Sequence, residues 1–118
     1  MKKNIIVDKS FDFAVRIVQL RKYLIATENE YVLSKQILRS GTSIGALIKE
    51  AQHAESNADF IHKLSIALKE ANETDYWLLL LHKTDYLDEV LYLSLEGNLK
   101  ELIKLLVSII KTSKLNKK

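Results

Sequence analysis

Residues 60–81, FIHKLSIALKEANETDYWLLLL, set Phe60, Leu64, Ala67, Ala71, Thr74, Leu78 and Leu81 at alternating steps of 4 and 3. That spacing keeps the seven side chains on one stripe of an α-helix, as in a heptad seam. A strand would need alternation at every second residue, which the stretch lacks. Just upstream, Ser56-Asn57 offer capping oxygens, and Asp59 puts negative charge in the first turn, where free amides and the helix dipole favour it. The reading is a helix over about 58–83.

The same period recurs three times along the chain. Before this helix, Leu33, Ile37, Ile44, Ile48 and Ala51 predict a helix over about 31–55, and Phe13, Ile17, Leu20 and Leu24 predict another over about 10–26. The break between them is Thr27-Glu28-Asn29-Glu30. Beyond a pause at 83–88, where Asp85 or Asp88 can cap, Leu91, Leu95, Leu99, Leu102, Leu106 and Ile109 predict a fourth helix over about 89–113. Three short connections force neighbouring helices to alternate in direction, giving an all-α, antiparallel up-down-up-down four-helix bundle. One domain over 1–118 accounts for the whole length.

Composition agrees. There is no proline, and glycine occurs only at Gly41, Gly45 and Gly97, so the turn residues of β-rich folds are missing. The absence of cysteine rules out disulfides and thiolate metal sites and points to a reducing, cytoplasmic setting. The start, MKKNIIVD, has three consecutive apolar residues, too few for a signal-peptide core, and the apolar stretch 102–110 is interrupted by Lys104 and Ser108, so no membrane partner is expected.

Charge is distributed unevenly. Residues 100–118 hold six lysines against Glu101, a balance of +5, while the other 99 residues hold 12 basic and 14 acidic side chains, a balance of −2. In the deduced topology Lys2, Lys3, Lys111, Lys114, Lys117 and Lys118 share one end of the bundle, while Glu28, Glu30, Asp85, Asp88 and Glu89 share the other. A basic rim of this kind can engage phosphates by releasing their counterions. Equally, lysines complement the C-terminal dipole of a last helix or form a solubilising tail.

In Arg39-Ser40-Gly41-Thr42-Ser43-Ile44-Gly45 the glycines lie four apart, but the lysine and hydroxyl that complete a P-loop are missing. Because the apolar period continues through the segment, we read these glycines as baring the backbone for close approach of another helix or subunit. Several further stretches carry a resemblance: SFDFA (10–14), LRSGTSIGA (38–46), Glu50-Ala51, Asp59-Phe60, Lys63-Leu64, Ile66-Ala67, KEA (69–71), Glu73-Thr74 and YWLL (76–79). Together they make the chain resemble the four-helix-bundle proteins associated with intervening sequences in bacterial 23S ribosomal RNA genes. The likeness covers the first three helices; the fourth matches in general character. It implies a homopentamer. It also implies likeness to the accessory protein of diversity-generating retroelements, which associates with nucleic acid and reverse transcriptase. It does not imply a structural component of the ribosome.

Surplus apolar surface on the third helix, at Ile66, Trp77 and Leu80, fits either a wide core or a second neighbour supplied by another subunit. We expect Arg39, Ser43, Glu50, Ile66, Glu70, Glu73 and Trp77 at that subunit interface. Glu70 and Glu73 suit an interface network better than general acid–base work, given Lys69 and Trp77 beside them. Glu50-x-x-His53 and Asp59-x-x-His62 echo di-iron spacing, but the further carboxylates are missing and neither histidine lies on a core stripe, so no metal or other cofactor is expected. No nucleophile–histidine–acid motif forms around His53, His62 or His82, so no catalytic residues are assigned. The resulting expectation is a non-catalytic homo-oligomeric scaffold that binds RNA or DNA, or a nucleoprotein complex with an enzyme such as a reverse transcriptase, through its lysine-rich end. The alternative is a pure protein-interaction module.

Overall fold

A computed structural model describes residues 4–116. Lys2, Lys3, Lys117 and Lys118, expected in the basic rim, lie outside the described residues. Four helices, α1 (Ile5–Glu28), α2 (Val32–Ala51), α3 (Asn57–Lys83) and α4 (Glu89–Leu115), make up the fold, with no strand among the described residues. Bonds across the seams fix their directions. Asn4 bonds Gln52, and Gly45 lies against Ser10, so α1 and α2 run oppositely. Lys63 lies beside Glu50 and Arg39 beside Glu70 for α2 and α3. Asn57 reaches the Ser113 carbonyl for α3 and α4, and Lys9 pairs with Glu101 for α1 and α4. Each neighbouring pair is antiparallel, and the bundle closes as α1 meets α4.

The expected stripe on α3 is buried from Leu64 to Leu81, while Phe60, at the bundle's end, is half-buried. Leu33, in the first turn of α2, is half-buried for the same reason. On α4 the buried stripe runs Tyr92, Leu95, Leu99, Leu102, Leu106 and Ile110, so Tyr92 and Ile110 replace the expected Leu91 and Ile109. Tyr92 earns its place by stacking on His82, with centroids 4.3 Å apart, while its hydroxyl donates to Glu96 at 2.9 Å. Burial, and then this carboxylate, push its phenol pKa up to about 12.

Helix α1 starts at Ile5, five residues before the expected Ser10, because its stripe continues through Ile6 and the buried Ser10. Ser10 satisfies its hydroxyl on the Val7 carbonyl at 3.1 Å. Helix α2 ends at Ala51, short of Glu55, where amides of Gln52, His53 and Ala54 bond carbonyls three residues back and tighten the final turn. Ser56 then caps α3, its Oγ accepting from the Asp59 amide at 3.0 Å. Of the two candidates before α4, Asp88 is the cap, accepting from the Leu91 amide at 2.8 Å, whereas Asp85 takes a left-handed turn conformation at φ 70°. Asn29 does the same at φ 54° after α1.

Both glycines of the 39–45 segment sit inside α2 and face α1. A Cβ at Gly41 would stand 2.9 Å from Ile17 Cγ1, and one at Gly45 would stand 3.2 Å from the Ser10 carbonyl oxygen. They admit a helix of the same chain.

Candidate nucleic-acid and subunit interfaces

A polar network fastens α2 to α3. The Arg39 guanidinium reaches Glu70 at 3.2 Å and also bonds Glu73, and the Trp77 indole N–H donates to Glu73 at 3.0 Å. The Trp77 bond, and next the Arg39 bond, hold the Glu73 carboxyl below its ordinary range; the Glu73 bond is the main cause that raises the guanidinium's pKa. Beneath, the buried Thr74 hydroxyl donates to the Glu70 carbonyl at 2.8 Å and lies 2.9 Å from Ser40 Oγ. Tyr76 packs edge-on against Trp77 and is 60% exposed.

All seven expected interface residues belong to these two helices. Ser43 sits one turn after Arg39 and donates to its carbonyl at 2.6 Å. Glu50 pairs with Lys63 at 3.8 Å, and Ile66, one turn before Glu70, is half-buried. Arg39, Glu70, Glu73 and Trp77 therefore already satisfy one another within the chain, while the face around them stays open at Arg39 and Tyr76.

At the end that holds the α2–α3 link and the α4 terminus, Lys111 and Lys114 are exposed. Acids also gather there. Lys63 lies 3.7 Å from Asp59 as well as beside Glu50, and Glu55 is exposed nearby in the link. The opposite end is less open in charge than its acid count suggests. Glu30, 9% exposed, caps α2 by accepting from the Ser34 amide at 2.7 Å and the Leu33 amide at 3.1 Å. Asp88 caps α4, and Glu89 meets His82 Nε2 at 3.0 Å. Glu30 was read from the sequence as part of a break. Its spacing of four to Ser34, which returns a hydroxyl bond to the Glu30 carbonyl at 2.7 Å, was the available signal.

His53 and His62 are exposed, and among the described residues no group of three or more histidine, aspartate or glutamate side chains is placed to hold a metal. No helix among them is long and apolar enough to cross a membrane. An open groove between α1 and α2 is lined by Val7, Phe11, Ala14, Gly45 and Ala46, with Asp12 and Lys49 beside them, and leaves Phe11 67% exposed.

Such a bundle, with its polar seams and open faces, is a small all-helical protein. Residues 2–108 match the family described as 23S rRNA-intervening sequence protein, and the chain belongs to that family. It is also similar to a crystal structure of a protein of unknown function from the S23 ribosomal protein family of Bacteroides thetaiotaomicron. That likeness has 60% identity and a TM-score of 0.91, covering 94% of this chain and 99% of the other. No curated protein matches it.

Proposed function

We propose that this protein is a non-catalytic homo-oligomeric scaffold that binds nucleic acid, or a nucleoprotein complex, through its lysine-rich end. The observation that carries the reading is the concentration of six lysines against one acid over residues 100–118, with Lys111 and Lys114 exposed at one end of the bundle. An oligomer repeats that charge around its axis and multiplies the counterions released on binding phosphates. A pentamer is the assembly that the family resemblance suggests, with the face around Arg39 and Trp77 as its subunit contact. RNA suits the family's description, and a nucleic-acid enzyme such as a reverse transcriptase is the proposed protein partner. The test is solution mass by light scattering, for the free protein and with a short RNA or DNA at low and high salt. A mass near five subunits that rises with nucleic acid only at low salt supports the proposal; a monomer indifferent to both overturns it. Trp77→Ala is expected to lower that mass while leaving the helical circular dichroism intact.

The α1–α2 groove with exposed Phe11 favours a second reading, a pure protein-interaction module. Under that reading, partner binding is insensitive to salt and no nucleic acid binds.

A further inference from the structure

The lysines of the C-terminal third are not only at the end of the bundle. At 3.6 residues per turn, Lys100, Lys104, Lys111 and Lys114 fall within an arc of roughly 80° on α4, and at 1.5 Å per residue they extend over ~21 Å of its length. All four are exposed. They form a stripe along the helix, and only its last part belongs to the lysine-rich end.

Three features set this stripe apart from an ordinary solvated face. First, α4 has one acid beyond Gly97, Glu101, which turns aside to pair with Lys9 of α1 at 3.0 Å. Second, of these four lysines only Lys100 pairs with a carboxylate among the described residues, Glu96 at 3.7 Å, and that carboxylate also accepts from Tyr92. An outer face built for ion pairing would alternate signs at i,i+4. Third, the helix dipole explains lysines only in the last turn. It accounts for Lys114 in that turn, but not for Lys100 and Lys104, which lie several turns earlier. Beside Lys114 the neighbouring surface of α3, formed by Ala58, Ile61, His62 and Ser65, carries no carboxylate.

We infer that the outer face of α4 is a phosphodiester-binding track, in which Lys100, Lys104, Lys111 and Lys114 engage the backbone of one nucleic-acid strand laid along the helix. The inference rests on the nucleic-acid reading above and moves its site from the end of the bundle to its side. A stacked strand advances about 3.4 Å per nucleotide, so the track matches about six nucleotides. Lysine provides point charges without base-edge geometry, so the track reads backbone and not sequence.

The test is fluorescence anisotropy with a labelled short single-stranded RNA and a DNA of the same sequence, using the full chain over a salt series. Four phosphate contacts on a single strand give a slope of log K against log salt of about −2.8, at about −0.7 for each. Lys100→Gln with Lys104→Gln is expected to weaken binding to both strands and to flatten the slope by about 1.4, as is Lys111→Gln with Lys114→Gln. Lys22→Gln with Lys35→Gln, exposed on α1 and α2, is the control and changes neither. Circular dichroism checks that every variant is folded. Wild-type binding that survives the Lys100 and Lys104 substitutions but is lost with Lys111 and Lys114 overturns the track and leaves the lysine-rich end in place. No binding of either strand by the wild type at low salt overturns both readings. A protein that ignores both strands but pellets with phosphatidylserine-rich vesicles through the same lysines replaces nucleic acid with a membrane surface and also overturns the track.

Discussion

Helix α1 packs against bare glycine backbone on α2, whereas long polar side chains bridge it to α4. On the α2 side, a Cβ at Gly41 would clash with Ile17 at 2.9 Å, and one at Gly45 would press on the Ser10 carbonyl at 3.2 Å. On the α4 side the helices are bridged by Lys9 to Glu101 at 3.0 Å and Arg16 to Asn98 at 2.6 Å. Two surface clefts open along that seam, one beside Phe13 and the other beside Leu20 and Tyr23. Interaxial distance follows the side chains at the contact. A pair of glycines one turn apart therefore decides which neighbour α1 is pressed against, and flexible polar arms cover the remaining gap.

The largest effect that would break this contrast is overpacking at the tight seam. Gly41→Val is expected to destabilise the fold by about 1–3 kcal/mol, since its side chain must displace the fully buried Ile17. Adding Ile17→Ala should recover part of that loss; urea unfolding measures both, and a second change that only deepens the loss would refute the close-approach account. Next in size is Gly97→Ala, where a Cβ meets nothing within 4 Å. It should stabilise by up to about 1 kcal/mol through helix propensity alone, whereas the same gain at Gly45→Ala is offset against the Ser10 carbonyl. Equal shifts in thermal midpoint for the two alanines would erase the distinction. The smallest effect belongs to the wide seam. A double-mutant cycle on Lys9 and Glu101, both more than two-fifths exposed, should give a coupling below about 1 kcal/mol that shrinks as salt rises.

The architecture was legible because the apolar period is regular in all four helices, and the 60–81 stretch placed its stripe correctly from Leu64 onward. What escaped reading was polar. Ser10, Ser34 and Ser40 are buried on helix stripes, and a hydroxyl there interrupts an apolar pattern although it bonds within the chain. That is why the first turns of α1 were missed. Tyr92 was passed over for Leu91 because the aromatic stacking partner, His82, lies across a turn that periodicity cannot see. The candidate sites divide in the same way. Gly41 and Gly45 were read as close-approach positions, which the α1 contacts support. The link between Arg39 and the two glutamates depends on the register of α2 against α3, which no single-helix pattern contains.

The sparse α1–α4 seam has a kinetic meaning. Every other seam joins helices that are consecutive in the chain, across links a few residues long, so each can form as a local hairpin with little loop entropy to overcome. Closing α1 on α4 joins helices from the two ends of the described fold, which approach each other less extensively than the consecutive pairs do. Contact order therefore favours the consecutive hairpins forming before α1 closes on α4, and amides along that seam are expected to exchange before those of the other three.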